Sequence, residues 1–210
     1  MAISMTLAGK LITFFPGLHA LLVLGAGGYF IVVPNWLSAL LIPLAIYIFP
    51  LICYHLHQMV APIVEGESTI IGTYSPWYGS HMIQLVFIGF PSCERFLRLF
   101  PGVFSVWLRL WGSKVGKSVY YTPHLELADR GLLEIGHGCV FGYNVKIAGH
   151  YISPSKEKGL KLYVRRVIIE DGGFVGAASR LAPGVVVKSG ALVKATVDVY
   201  PDTVVEKKSS

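Results

Sequence analysis

Apolar positions recur in three different rhythms along this chain. Residues 11–33 and 36–54 are runs of 23 and 19 residues without a charge, separated only by Pro34 and Asn35. At about 1.5 Å per residue each run can span a hydrocarbon core of ~30 Å. The pattern therefore predicts a two-span transmembrane hairpin over residues 1–60, turning at the Pro-Asn dipeptide. Pro43 and Pro50 should kink the second span, which neighbouring helices tolerate in lipid. A cleavable signal peptide fits the first run poorly, because no small-x-small site leads from it into polar sequence. His19 lies inside that run, either as a functional group or as a neutral, hydrogen-bonded one.

Residues 61–111 follow a second, weaker rhythm. Residues 61–80 are rich in Gly, Pro and Ser and read as a loop. Residues 81–90 and 96–111 are apolar but punctuated by Arg95, Arg98 and Arg109 and broken at Pro91 and Pro101, so neither is long enough to span. Trp107, Trp111 and the neighbouring Phe and Leu residues fit amphipathic helices lying in the membrane interface. Burial against the hairpin is the alternative.

The third rhythm is a strict period of six. Large aliphatic residues stand at Ile169, Val175, Leu181, Val187, Val193 and Val199, and the residue four places later is small or β-branched. A helix repeats at 3.6 and a strand at 2, whereas a period of six marks a hexapeptide-repeat β-helix. The same register begins at Val115, Tyr121 and Leu127, slips by two residues, and resumes at Ile135, Phe141 and Ile147. Residues 151–163, polar and basic, interrupt it before Ile169. Twelve hexapeptides make about four coils over residues 112–205, with 151–163 as an extruded loop. The expected architecture is a membrane hairpin, interfacial helices, and a parallel β-helix.

Charge sharpens this division. Of 18 Lys and Arg residues only Lys10 precedes residue 90, and the net charge is +6. With 53% hydrophobic and 14% charged residues, the chain is too apolar for an ordinary soluble domain. Lys10 before the first span and the basic bulk after the second put both ends on the cytoplasmic side of an inner (cytoplasmic) membrane. The basic half suits anionic lipid or a phosphorylated ligand. No helix-turn-helix, zinc-finger or aromatic-basic strand pattern accompanies it, so nucleic acid is not an expected partner. Cys53, Cys93 and Cys139 form neither a disulfide framework nor a CxxC pair, and Cys139 falls at a small inward position of the repeat.

A β-helix wall has no chemistry of its own, so function must come from what interrupts it. His150 stands at the mouth of the long interruption, where an imidazole can serve as a general base. Here the sequence resembles a known family. IEDGGFVGAASRLAPGVVVKSGALV is similar to the repeat of the hexapeptide-repeat acyltransferases, which have a left-handed parallel β-helix, and LLEIGHGCVFGYNVKIAGH resembles their preceding coil. The resemblance covers roughly residues 109–201. It is nearest to membrane-attached members, the polysaccharide sugar O-acetyltransferases and the C-terminal domain of polylysine synthetase, in which an apolar segment like RLWGSKVGKSVYY leads into the first coil.

The resemblance implies an acyltransferase using acetyl-CoA or another acyl-CoA as co-substrate, with no metal. His150 would take the proton of an acceptor hydroxyl or amine as it attacks the thioester directly. Ala177 would supply the amide that contacts the thioester, and Ala195 a second pantetheine contact. Arg166, Lys188 and Lys194 are candidate phosphate contacts on charge alone. Asn144 is either an orienting residue for acceptor or base, or a turn asparagine. The family also implies a homotrimer with sites between subunits, residues 153–161 lining the acceptor mouth. A lipid-linked glycan precursor is the acceptor suggested by the membrane setting. The chain departs from the pattern in three places: His150 comes three residues after Ile147 rather than two, TVDVYP replaces a closing TKDVP, and Glu170-Asp171 and Lys188-Ser189 replace glycine-containing turns.

Two other functions share the fold. A γ-class carbonic anhydrase would need three zinc-binding histidines, two of them five apart; His124, His137 and His150 are spaced 13 and 13. On a coil of about 18 residues these fall on different sides. A non-catalytic membrane-anchored scaffold would need neither His150 nor its loop.

Overall fold

The computed structural model describes residues 5–155 and 159–207. These form two compact units, one of residues 1–64 and 69–90 and one of residues 65–68 and 91–210.

The first unit is helical. Two segments, Leu7–Val32 and Trp36–Val60, are long and apolar enough to cross a membrane. Protein covers only 11% and 22% of their most apolar windows, whereas a core helix of a soluble domain would be mostly covered. The turn between them is set by a reciprocal cap: Ser38 N–H donates to Asn35 Oδ1 at 3.0 Å, and Asn35 N–H donates to Ser38 Oγ at 3.1 Å. This capping box satisfies donors that lipid could not.

The second span does not simply kink at its prolines. It runs as an α-helix over Trp36–Pro43, widens to a π-helix over Leu44–Ile48, and resumes as an α-helix over Phe49–Val60. Phe49 N–H bonds to Leu44 O, and Pro50 has no N–H to give. The Ala45 carbonyl is thus left without a helical donor. His19 of the first span supplies one, with Nε2 at 3.0 Å from Ala45 O and the ring wholly buried. A carbonyl only accepts, so Nε2 carries the proton. His19 is therefore a donor that repairs the break made by Pro50, the hydrogen-bonded one of the two roles open to it. The third helix of this unit, Pro76–Gly89, starts inside the stretch expected to be loop; Ser75 caps it, its Oγ accepting from Tyr78 N–H at 3.3 Å.

The second unit is built on a left-handed parallel β-helix. Its rungs stack on three faces. Val115, Ile135, Ile169, Val187 and Val205 line the first; Tyr121, Phe141, Val175 and Val193 the second; Leu127, Ile147, Leu181 and Val199 the third. Side chains alternate along a strand, so these point inward while their predecessors point out. Nearly every rung is buried, and each contributes ~1.5–3 kcal/mol of apolar burial before entropy is subtracted. The faces hold five, four and four strands, one strand more than the twelve expected, because Val204–Val205 begins another coil.

The corners explain the period. The residue three places after a rung is left-handed at Gly138, Asn144, Gly172, Ala178, Gly184, Gly190, Thr196 and Asp202. Such a backbone favours Gly and tolerates Asn, so Asn144, at φ 57°, is a corner residue. Two corners after third-face rungs depart from this, one after Leu127 and the other after Ile147. They lie one above the other, because Leu127 pairs with Ile147.

Two short helices precede the coil, Ser92–Leu97 and Val103–Leu110. Residues 151–163, expected as a loop without apolar period, are instead an antiparallel hairpin of His150–Ser155 and Gly159–Val164; positions 156–158 lie outside the described residues. Strand Gly66–Thr69 adds to the hairpin beside Gly159–Val164, and Glu67 forms an ion pair with Lys161.

Candidate active site

The two irregular corners that follow third-face rungs meet at a histidine and an aspartate. After Leu127 the two-residue slip of register carries Asp129 and Arg130. After Ile147 the chain leaves the coil at His150 to enter the hairpin. His150 Nδ1 lies 2.7 Å from Asp129 Oδ2, which also accepts the Gly149 N–H at 2.8 Å. Asp129 is 3% exposed. An aspartate so placed fixes one ring nitrogen as the donor and orients the imidazole, which assigns proton exchange to the other nitrogen.

The Asp129 corner is itself held firmly. Arg130 donates two hydrogen bonds to Glu94, at 2.6 and 2.9 Å, and Trp107 Nε1–H donates to the same carboxylate at 2.9 Å. Both members of the ion pair are almost fully buried. Ser113 Oγ–H donates to Arg130 O at 2.5 Å and accepts from Leu133 N–H at 3.1 Å. Paired, hydrogen-bonded burial of this kind resists removal of any single member, because the remaining charge would be stranded.

The remaining candidates fall on three corners of the prism. Ala177 and Ala195 lie between the second and third faces, one coil apart, joined where Thr196 N–H donates to Ala177 O at 2.8 Å. Their own amide N–H groups have no acceptor among the described residues. Asn144 lies on the same corner one coil earlier, where Ala178 N–H donates to Tyr143 O at 2.7 Å. Lys194 is exposed beside Ala195. His150 stands between the third and first faces. Arg166 is on that side too, but its guanidinium is 2.6 Å from both Glu65 and Glu134. Lys188 lies between the first and second faces, 2.9 Å from Glu170. Arg166 and Lys188 are thus paired with carboxylates already, whereas Lys194 makes no ion pair among the described residues.

The third face separates His150 from Ala177 and Ala195. Its outward side chains are charged ladders, Glu126 with Lys146 at 2.9 Å and Arg180 with Asp198 in two bonds of 2.6 Å. One chain therefore does not bring its histidine to its own alanine corner. Of the two other histidines of the coil, His124 lies against the Tyr143 ring, and His137 Nδ1 accepts the Lys117 N–H. Of the thiols, Cys139 is wholly buried and burial pushes its pKa up, which leaves it unreactive at neutral pH.

Asp129, Glu94 and Arg130 were not singled out by sequence. The available signal was the slip between Leu127 and Ile135, an insertion carrying adjacent opposite charges one coil length before Gly149 and His150.

No family model and no curated protein matches the chain. Among solved structures it is similar to a hexapeptide-repeat-containing acetyltransferase from Vibrio cholerae complexed with acetyl coenzyme A, with TM-score 0.42 and 14% identity over 57% of this chain and 81% of that one. A galactoside acetyltransferase in complex with coenzyme A gives TM-score 0.36 and 15% identity, covering 55% and 76%. Soybean serine acetyltransferase complexed with serine gives 0.32 and 19%, covering 80% and 72%. At such identities and scores, the reaction has to be read from side chains.

Proposed function

We propose that the chain is a membrane-anchored acyl-CoA-dependent acyltransferase with His150 as its general base. The observation that carries this is the 2.7 Å contact between His150 Nδ1 and a buried aspartate, at the place where the coil opens into a hairpin. A scaffold has no use for such a pair.

In this reading an acceptor hydroxyl or amine attacks the thioester carbonyl while His150 Nε2 takes its proton. The tetrahedral oxyanion is met by an amide N–H of the alanine corner, Ala177, and collapses with expulsion of the CoA thiolate. The imidazolium then returns its proton to that sulfur, so the base is regenerated and no acyl-enzyme forms. Asp129 holds the ring and stabilises its transient positive charge. Acetyl is the acyl group that the family resemblance implies, and Ala195 and Lys194 continue the corner along which pantetheine and phosphate would lie.

His150 and Ala177 stand on different corners, so the site is completed by a second copy of the chain, in a homotrimer. The two membrane-long helices support anchoring to a membrane; Lys10 before the first span and the basic bulk after the second assign the catalytic unit to the cytoplasmic face, and an acceptor held at the bilayer, such as a lipid-linked glycan, suits that setting. The test is turnover of acetyl-CoA by the full chain in detergent or nanodiscs against a panel of hydroxyl and amine acceptors. Transfer supports the reading; failure to bind any acyl-CoA removes it.

A further inference from the structure

The second unit carries a cavity of about 760 Å³ whose lining includes none of Asp129, Arg130 and His150. It lies between helix Val103–Leu110 with its preceding turn and residues 116–121 of the first coil. Its size is that of an ordinary ligand site. Leu99, Phe100, Val103, Val106 and Tyr120 give it apolar walls, and these side chains are 71%, 49%, 39%, 50% and 61% exposed. Apolar surface of this extent on one face marks an interaction site.

Its polar groups share one sign. Arg98, Arg109 and Lys117 line the cavity, with no aspartate or glutamate among the lining residues. Arg98 is the informative one. Its side chain is 4% exposed, with Cζ 4.2 Å above the Phe104 ring. Nη1–H donates to Pro123 O at 2.7 Å, yet Nε is buried without an acceptor among the described residues. Glu94 answers it only at 3.8 Å, since that carboxylate is held by Arg130 at 2.6 and 2.9 Å. Burial brings the guanidinium pKa down to about 10, as expected of a cation whose desolvation is incompletely compensated. Tyr121 OH, 3.2 Å from Ser105 Oγ, adds a hydroxyl pair beside it.

A buried guanidinium short of an acceptor calls for an anion, and exposed aromatic and aliphatic walls call for a chain. The same polypeptide carries two membrane-long helices, so its nearest source of such a molecule is the bilayer. We propose that this cavity binds an anionic membrane lipid, its phosphate head on Arg98 and Lys117 and the start of its acyl chain along Phe100, Val103 and Val106. The site is separate from acyl transfer, and none of its residues belongs to the Asp129–His150 pair.

The test is photolabelling of the full chain in phosphatidylcholine nanodiscs containing a diazirine-tailed phosphatidic acid, followed by peptide mapping. Label should concentrate on residues 98–121 and fall about tenfold, or about 1.4 kcal/mol, in Lys117→Glu and Val106→Glu. Both positions are exposed, so these variants fold, where Arg98→Gln would remove buried packing over Phe104 and a hydrogen bond to Pro123 O. A diazirine-tailed diacylglycerol should leave that segment unlabelled, and His150→Ala should label as wild type does. Equal labelling by the neutral lipid, or full labelling of both variants, would overturn the proposal. Displacement by millimolar inorganic phosphate alone would also overturn it, in favour of a free-phosphate site.

Discussion

Asp129 Oδ2 binds two successive residues of the coil above it, the Gly149 N–H at 2.8 Å and the His150 ring at 2.7 Å. Backbone and catalytic candidate are therefore positioned by one carboxylate. Asp129→Asn keeps the size and a hydrogen bond to one of the two groups but removes the charge that supports an imidazolium. The expected result is a loss of acyl transfer of about 10²-fold or more, with little change in acyl-CoA binding. Comparing kcat with KM across a pH series checks this; a uniform rise in KM at unchanged kcat would assign Asp129 a purely structural role.

If the site joins His150 of one copy to Ala177 of another, two inactive variants should rescue each other. Ala177→Trp fills the alanine corner and His150→Ala removes the base, and each alone should be inactive. Co-expressed, they should regain a fraction of wild-type turnover through mixed assemblies holding one intact site. No recovery in a demonstrated mixed assembly would place the site within a single chain.

Leu181 is 2% exposed and pairs in register with Ile147 below and Val199 above. Leu181→Ala should cost about 2–5 kcal/mol of stability, and Leu181→Asp should loosen neighbouring coils as well, since each leans on the next. Proteolysis of the second unit reads both effects, and Arg180→Ala on the outward side serves as a mild control.

His19→Phe keeps an aromatic ring within the cluster of Phe15, Phe49 and Phe87 but leaves the Ala45 carbonyl without a donor. The expected penalty is about 1–3 kcal/mol of hairpin stability, measured by thermal unfolding in detergent. Ala replacing Pro50 in the same background should recover part of it, because its N–H can close the helix again.

Much of the fold was legible because a coil forces its own arithmetic on the sequence. Ile169, Val175 and Leu181 must point inward at every side, and residues such as Gly172 and Asn144 must turn each corner with a left-handed backbone. The hairpin Leu7–Val60 was legible for an equally simple reason, two runs each long and apolar enough to cross a bilayer. What escaped were features whose cause lies far away in sequence. The π-helix at Leu44–Ile48 depends on His19 twenty-six residues earlier. Helix Pro76–Gly89 begins in a stretch whose Gly, Pro and Ser content reads as loop, although Ser75 and Pro76 are a cap and a first-turn residue. The hairpin at residues 150–164 has polar strands because few of its side chains are buried. Asp129 looked like part of a register slip, and only stacking on Gly149 and His150 gives it a task.

Turnover of radiolabelled acetyl-CoA in membranes carrying the full chain, wild type beside His150→Ala, tests the role of this imidazole most directly. The variant should still assemble and bind acetyl-CoA while transfer falls by about 10²–10⁴-fold. Transfer at the wild-type rate without this imidazole would contradict it.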